Sequence, residues 1–340
     1  MRGTNWVGDA VMSVPALRQL GRIFPAAEIT LHTRSWAKGI FQDADFIDEI
    51  LVFEPEKSGF KTVLAQAEIY REKEFELAVV FPNSFESALI AKLGKVSSRF
   101  GYSKEGRSFL LTDAVKIPDW KNQKHEVFYY LNLIAEIENK FFDRKTVLES
   151  EPRFDLQISD ERKIQARTIL EENGIVDSSK KLIVLCPGST NSEAKRWQTE
   201  SYATLNDKIQ TELNANVVLI GANSELDVSN EVAEKSRLKP IILTGKTSLA
   251  EATAILCVCD LLVSNDTGPA HISSALGTKT LVIFGPTNPG TTQPWGSEII
   301  RNAVECSPCM LRKCPIDHRC MTWISAAEVF EKAKEKLTAH

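Results

Sequence analysis

The feature that most constrains this chain is the regular alternation of short apolar runs with amphipathic segments. The runs are rich in β-branched residues and apolar on both faces, which is typical of parallel strands covered by helices on each side. The predicted strands are Glu28–Thr33, Glu49–Phe53, Glu76–Phe81, Leu182–Cys186, Val217–Gly221, Pro240–Gly245, Leu261–Asn265 and Thr280–Gly285. The predicted helices between them are Asp9–Phe24, Phe60–Arg71, Phe85–Leu93, Ser201–Leu213, Glu225–Ser236 and Leu249–Cys257. This order indicates a doubly wound α/β architecture.

The alternation is interrupted once, between about residues 138 and 179, by a charged stretch and one lone helix, Asp160–Asn173. A chain of 340 residues is long enough for two domains. We therefore predict two Rossmann-like domains, residues 1–155 and 156–324, with a last amphipathic helix in residues 325–340 that braces the first domain. Since ligands bind beyond the carboxyl ends of strands in open α/β sheets, we expect a cleft between the two.

The chain opens on a turn that has no full strand in front of it. GTNWVGDAV, residues 3–11, has the pattern of a turn and helix start, yet only Met1 and Arg2 stand where the first strand belongs. The absence of a central strand predicts two unpaired edges and an open apolar groove. We expect the first strand of the N-terminal domain to be missing, through a mis-assigned start codon or a truncated chain.

Composition narrows the class of protein. The longest apolar run, Thr280–Gly285, is far too short to cross a bilayer, and no export signal is recognisable at the N-terminus. These features predict a cytoplasmic protein. A net charge of -4 argues against a general nucleic-acid partner, which normally has a basic excess.

Two loops that follow predicted strands are suited to phosphate. In VSNDTGPAHISSALG, residues 263–277, a strand ends at Asn265 and Pro269 begins the next helix, so the positive helix end and its backbone N–H groups point at the sheet edge. In CPGSTNSEAKRW, residues 186–197, two hydroxyls and the ammonium of Lys195 follow a strand break. Each loop also fits a plain capped turn or a solvated surface. Neither resembles GxGxxG or GxxxxGK[ST], which disfavours dinucleotide or P-loop binding.

Several segments together resemble a known family. They are RGTNWVGDAVMSVPALR, RFGYSKEGRSFLLT, the PGST…AKRW loop and SNDTGPAHISSALGTKTLVIFGPTNP. In this order they are similar to the ADP-heptose:lipopolysaccharide heptosyltransferases, glycosyltransferase family 9. The resemblance implies a GT-B fold, with two Rossmann-like domains that face each other across a cleft.

The resemblance also implies the roles of single residues. Asp9, in the GD pair, is the implied general base, although its position also fits a helix cap. The implied transfer is inverting and metal-independent, without a cofactor, because Lys195 and the Thr267–Gly268 backbone would stabilise the departing diphosphate. His271 either faces the ligand or packs. The implied donor-binding residues are Ser189, Thr190, Lys195, Glu225, Asp266, Thr267, Gly268 and His271.

A basic cluster in the N-terminal half is the candidate acceptor site. Its members are Lys92, Lys95, Arg99, Lys104 and Arg107, of which we assign Arg99, Lys104 and Arg107 to the acceptor. Arginine and lysine suit the phosphates and acidic sugars of a lipopolysaccharide inner core. A solvated charged face is the alternative interpretation.

The seven cysteines fall into two groups. Cys186, Cys257 and Cys259 lie in apolar patterns and are interpreted as core residues. The others crowd into CSPCMLRKCPIDHRC, with spacing that fits either a structural metal site or reduced thiols in a surface loop. These four are Cys306, Cys309, Cys314 and Cys320.

The leading hypothesis is a heptosyltransferase with ADP-heptose as donor and a lipid A-Kdo-heptose acceptor at the inner face of the inner membrane, to which it would attach peripherally. A dinucleotide-dependent oxidoreductase and a nucleotide-sugar binding protein without turnover are the alternatives.

Overall fold

The computed structural model describes residues 1–54 and 59–338 and divides into two compact units, Met1–Phe154 and Asp155–His340. Each unit is built of parallel strands and helices. Within the described ranges, no helix has both the length and the apolar character needed to cross a bilayer.

The first unit holds the N-terminal strands in two parallel groups, β1–β2 and β3–β4–β5. Its strands are β1 (Thr30–Arg34), β2 (Glu49–Phe53), β3 (Leu77–Val80), β4 (Ser98–Tyr102) and β5 (Asp113–Val115). Its helices are α1 (Val7–Met12), α2 (Val14–Ile23), α3 (Ser35–Phe41), α4 (Phe60–Glu72), α5 (Phe85–Leu93) and α6 (Glu126–Phe142). The single helix predicted over Asp9–Phe24 is two helices, because Ser13 separates α1 from α2 and Pro15 lies in the first turn of α2.

The first three residues lie between β1 and β3. Arg2 forms parallel bridges to His32 on one side and to Val80 on the other. Its backbone N–H donates to the Val79 carbonyl at 2.8 Å, and the Gly3 N–H donates to the His32 carbonyl at 2.9 Å. Met1–Gly3 therefore occupies the end of the position where the sequence predicts a first strand.

The side chain of Arg2 is buried among neutral groups. Its guanidinium donates to Gln66 Oε1 at 2.7 Å, contacts His32 Nδ1 at 2.9 Å and stacks 3.7 Å from the centre of the Phe53 ring. Burial, with the nearby Arg2 charge, lowers the pKa of His32 to about 3. The imidazole is therefore neutral at physiological pH, and its Nδ1 can accept a hydrogen bond from the Arg2 guanidinium.

The second unit contains one six-stranded parallel sheet with the strand order β11-β10-β9-β6-β7-β8. Its strands are β6 (Leu182–Cys186), β7 (Asn216–Leu219), β8 (Ile241–Ile242), β9 (Leu261–Asn265), β10 (Thr280–Phe284) and β11 (Glu298–Arg301). Its helices are α7 (Asp160–Glu172), α8 (Thr199–Glu212), α9 (Leu226–Lys235), α10 (Leu249–Val258), α11 (Gly268–Ala275), α12 (Pro289–Thr292), α13 (Arg319–Thr322) and α14 (Ala326–Thr338).

The order of this sheet reverses between β6 and β9. From β6 the chain runs outward through β7 and β8, and it then returns to the other side of β6 as β9. The first loops on the two sides diverge at this point and leave a crevice at the carboxyl ends of the strands, where α/β sheets bind ligands. Both predicted phosphate loops follow these two central strands.

The last helix, α14, packs on its own unit. Val329, Phe330 and Ala333 are fully buried in the hydrophobic core that also contains Leu205 of α8 and Val263 of β9. We expected this helix to brace the first unit. The apolar face of α14 covers the second sheet, and a bracing contact of this helix with the first unit stays a prediction.

Candidate functional site

The crevice between β6 and β9 is held together by Asn265, the last residue of β9. Its amide Nδ2 donates to the carbonyls of Pro187 at 2.8 Å and Gly188 at 3.1 Å, while its Oδ1 accepts from the backbone N–H of Trp197 at 3.0 Å. One fully buried side chain therefore fixes both ends of the loop that carries Lys195. Sequence reasoning missed this role, although the polar residue at the end of an apolar strand was a usable signal.

Lys195 and Asp266 form an ion pair in this crevice. Lys195 Nζ lies 2.7 Å from Asp266 Oδ2 and 3.2 Å from the Asp266 carbonyl. The Lys195 side chain is 26% exposed, whereas the Asp266 side chain is 4% exposed. Because an ammonium has three N–H donors, Lys195 can hold these contacts and still reach an anion from the solvent side.

Thr287 completes the surroundings of Asp266. Its hydroxyl donates to Asp266 Oδ2 at 2.7 Å, so the same carboxylate oxygen accepts from both Thr287 and Lys195. The buried carboxylate is thereby satisfied and holds the ammonium in place. Thr287, which follows β10, was also missed by sequence reasoning. Contact between Asp266 and the donor sugar stays a prediction.

Glu225 joins the loops that follow β6 and β7. Its Oε1 accepts from the Thr190 hydroxyl at 3.1 Å, and its Oε2 accepts from the Ala222 N–H at 2.8 Å. A Cβ on Gly188 would lie only 2.4 Å from Glu225 Cδ, so any larger residue here would have to displace this carboxylate. The structure shows Glu225 as a buried link between loops, and its contact with a ribose stays a prediction.

The helix α11 begins directly after Asp266. Thr267 is its N-cap, with an extended backbone, and Pro269 lies in the first turn. Thr267 and Gly268 are half-buried, whereas His271 is buried on the helix. The N-terminus of α11 therefore lies beside the ammonium of Lys195, and both favour a negative charge.

Ser189 lies at the start of the Lys195 loop and is buried. Its carbonyl accepts from the guanidinium of Arg196, with the Arg196 Nη2 atom at 3.0 Å. Arg196, which the sequence analysis did not assign, thus closes the loop on itself. The exposed polar residues of this loop are Thr190, Asn191 and Glu193, and Lys195 is half-buried.

The segment that carries four cysteines packs on the same loop. The His318 Nε2 atom donates to the Ala194 carbonyl at 2.6 Å, and the Ala194 N–H donates to the Arg312 carbonyl at 3.0 Å. The four thiols are free, and the described residues contain no group of three His, Cys, Asp or Glu side chains placed to share a metal ion. The structure shows this segment as a support of the Lys195 loop. A structural metal site at Cys306, Cys309, Cys314 and Cys320 and reduced thiols in a surface loop stay the two interpretations.

Asp9 lies in the first turn of α1 in the first unit and is half-buried. The hydroxyl of Tyr130, on α6, donates to Asp9 Oδ1 at 2.9 Å. A carboxylate at a helix N-terminus is stabilised by the helix dipole, so this position suits an ionised group. Tyr130 was not among the predicted site residues.

One residue of the basic cluster, Arg107, is structural, which corrects its assignment. Arg107 is 0% exposed, and its guanidinium donates to the carbonyls of Tyr102, Pro82 and Ser84 and to Asn83 Oδ1. Such a group has no surface left for an acceptor.

Arg99 is half-buried, and its contact with an acceptor stays a prediction. It lies at the amino end of β4, away from the carboxyl ends where ligands bind, and its guanidinium donates to the carbonyls of Leu110 and Val96. Lys104 is exposed just beyond the carboxyl end of β4. It is the most accessible of the three predicted acceptor residues.

Comparison with known proteins identifies related chains. The model of "Glycosyltransferase family 9 (heptosyltransferase)" matches residues 64–319. Lipooligosaccharide heptosyltransferase 2 of Campylobacter jejuni is 28% identical over 343 residues, which cover 98% of this chain and 96% of the relative. Among solved structures, E. coli ADP-heptose lps heptosyltransferase II is 25% identical, with a TM-score of 0.83 over 99% of this chain and 97% of the other.

A further solved structure has a bound donor analogue. The E. coli heptosyltransferase WaaC with ADP-2-deoxy-2-fluoro heptose is 17% identical, with a TM-score of 0.67 over 98% of this chain and 99% of that one. These likenesses confirm the predicted GT-B fold class and the family resemblance stated from the sequence.

Proposed function

Because the chain belongs to glycosyltransferase family 9, the heptosyltransferases, we propose that it transfers a heptose from ADP-L-glycero-D-manno-heptose to heptosyl-Kdo2-lipid A. The chain is a glycosyltransferase of lipopolysaccharide core synthesis. The proposal adds the donor, the acceptor and the reaction course to this activity. E. coli WaaC, which has the same fold, binds an ADP-heptose analogue.

The observation that carries the proposal is the pairing of Lys195 with Asp266 beside the N-terminus of α11. A diphosphate carries negative charge that a lysine ammonium and a helix N-terminus both stabilise. In the proposed complex the diphosphate contacts Lys195 and the Thr267–Gly268 backbone. Asp266 holds Lys195 in place through the 2.7 Å contact.

The reaction is a single displacement. Asp9 accepts the proton of an acceptor hydroxyl, and the hydroxyl oxygen attacks the anomeric carbon of the heptose. The bond between this carbon and the diphosphate oxygen breaks at the same time, and ADP leaves with the electron pair. Attack opposite the leaving group inverts the configuration at the anomeric carbon.

The proposed transfer needs no divalent metal. The charge that develops on ADP in the transition state is stabilised by Lys195 and by the positive end of α11, which are fixed before the substrate arrives. Because these groups are preorganised by Asn265 and Asp266, little reorganisation accompanies the reaction.

We place the acceptor on the first unit, near Asp9 and Lys104. Lys104 is exposed and suits an acidic sugar or a phosphate. Since the acceptor is a lipid, we propose that the enzyme works at the inner face of the inner membrane as a peripheral protein.

The substitution Asp9→Asn tests the catalytic part of the proposal. It keeps the shape of the side chain but removes the base, so transfer is expected to fall by at least about 100-fold while the affinity for ADP is unchanged. Product formation by mass spectrometry and calorimetric titration with ADP measure the two quantities.

The matched control is Asp119→Asn, which changes a 95% exposed carboxylate in the same unit and should leave both quantities at wild-type values. Retained transfer in Asp9→Asn would remove Asp9 as the base. Binding of ADP-heptose by the wild type without any turnover would instead support a binding protein.

A further inference from the structure

We infer that Tyr130 is a positioning residue for Asp9, which it orients by a hydrogen bond from its phenol hydroxyl. This inference rests on the role proposed above for Asp9 as the general base. It assigns a function to a tyrosine in α6 that no sequence motif marks.

The contact is direct and partly buried. Tyr130 Oη donates to Asp9 Oδ1 at 2.9 Å, and Tyr130 is a buried residue. A carboxylate has two oxygens with about four acceptor positions, so a hydrogen bond donated to Oδ1 orients the group. Buried polar groups are nearly always hydrogen-bonded, and this bond satisfies the Tyr130 hydroxyl. The same bond joins α1 to α6.

Packing fixes the tyrosine ring as well. Its centroid lies 5.1 Å from that of Phe81 at an interplanar angle of 69°, and it also contacts the neighbouring Tyr129 ring edge-on. Phe81 is itself anchored, since its N–H donates to the Arg2 carbonyl. The position of the phenol oxygen is therefore fixed, and the hydrogen bond from this hydroxyl sets the orientation of the Asp9 carboxylate.

The hydroxyl stays a donor over the whole working range of pH. Burial, and then the charge of Asp9, raises the pKa of Tyr130 well above its usual value. The other titratable groups that act on the phenol are Glu126 and Tyr129 on the same helix, and Glu126 is paired with Lys121. On α2, which packs against α6, Arg22 pairs with Glu138, about two helical turns from Tyr130.

The direction of the functional effect follows from this hydrogen bond. A donor to the ionised form favours that form, so loss of the hydroxyl disfavours the carboxylate. A higher pH is then needed to ionise the base, and the acidic limb of the rate profile moves upward. The less ordered carboxylate also lowers kcat, whereas donor binding is unaffected.

The test compares Tyr130→Phe with Tyr129→Phe in the full chain. Both remove one hydroxyl from a buried tyrosine at adjacent positions of α6, but the Tyr129 hydroxyl accepts from Asn83, whereas that of Tyr130 donates to Asp9. We expect Tyr130→Phe to lower kcat by about tenfold and to shift the acidic limb of kcat/KM upward, with KM for ADP-heptose unchanged. Tyr129→Phe should leave the pH profile where it is.

Two further measurements separate this inference from the proposed function. If the wild type transfers heptose and Asp9→Asn does not, an unchanged kcat and pH profile in Tyr130→Phe overturns the positioning role alone. The double variant Asp9→Asn/Tyr130→Phe should be no slower than Asp9→Asn, because the tyrosine acts through the carboxylate. Additive losses would contradict the inference.

A second variant at position 130 tests the inference even if Tyr130→Phe does not fold. Difluorotyrosine at position 130, with the fluorines beside the hydroxyl, is a stronger hydrogen-bond donor of nearly the same shape. It should move the acidic limb downward, opposite to Tyr130→Phe. An unmoved limb would also overturn the inference.

Discussion

Arg107 and Lys104 stand three positions apart in one loop, and their surroundings assign them different tasks. The guanidinium of Arg107 is enclosed by three carbonyls and one amide oxygen, whereas the ammonium of Lys104 lies in solvent. Arginine has five donors in a planar fork, which suits it to collecting several backbone carbonyls. The basic cluster in the sequence thus contains an internal brace as well as a surface charge.

This difference predicts separate effects of two substitutions. Arg107→Met keeps most of the volume but leaves four acceptors, two of them buried, without their donor. We therefore expect the free energy of unfolding to fall by about 2–4 kcal/mol. Lys104→Ala should change that free energy by less than about 0.5 kcal/mol and raise KM for the acceptor several-fold. Urea denaturation and acceptor titration measure these effects.

The opposite pattern, with a stable Arg107→Met that binds acceptor poorly, would show that Arg107 does contact the acceptor. Wild-type acceptor kinetics in Lys104→Ala would remove Lys104 from the acceptor site.

At the scale of single residues, the charged residues of the site were predicted from the sequence, but the polar residues that hold them in place were not. Lys195 and Asp266 were both assigned to the donor, and the structure pairs them at 2.7 Å. Asn265 and Thr287, which hold this pair and its loop, were missed. Their roles depend on which loops meet at the sheet edge, and that is set by strand order rather than by residue type.

At the scale of elements, the strength of the local pattern decided what was predictable. The strands β6 and β9 are apolar on both faces and were predicted with their observed bounds. The strands β4 and β5 were not predicted, because β4 contains Arg99 and Gly101 and β5 has three residues. The helix α6, which carries Tyr130, was also absent from the prediction, although its buried residues recur at helical spacing.

The packing of α14 gives a prediction at this scale. Phe330 is fully buried in the core of the second unit, so Phe330→Ala should lower the free energy of unfolding of that unit by about 3–5 kcal/mol. Glu331→Ala, at the exposed neighbouring position, is the control and should have little effect. Thermal unfolding with and without ADP measures both variants.

Because ADP is proposed to bind the second unit, Phe330→Ala should also weaken stabilisation by ADP near the transition. Unchanged stability would contradict the packing of α14 described here.

At the scale of the whole molecule, length and alternation were enough to predict α/β architecture, and the collinear motifs were enough to predict the family. The match to glycosyltransferase family 9 over residues 64–319 excludes the oxidoreductase alternative as an account of this chain. The identity of the transferred sugar, in contrast, could not be predicted from sequence motifs. It depends on the shape of a pocket around the heptose, to which loops distant in sequence contribute, and motifs do not encode that shape.

The measurement that tests the account most directly is heptose transfer to heptosyl-Kdo2-lipid A by the full chain, with excess EDTA present and products analysed by mass spectrometry and by the configuration of the new bond. We predict one heptose added per acceptor, release of ADP, an inverted anomeric centre and a rate that EDTA does not change. Transfer that stops with EDTA, retention of configuration, or turnover only with a different nucleotide sugar would contradict the proposed reaction.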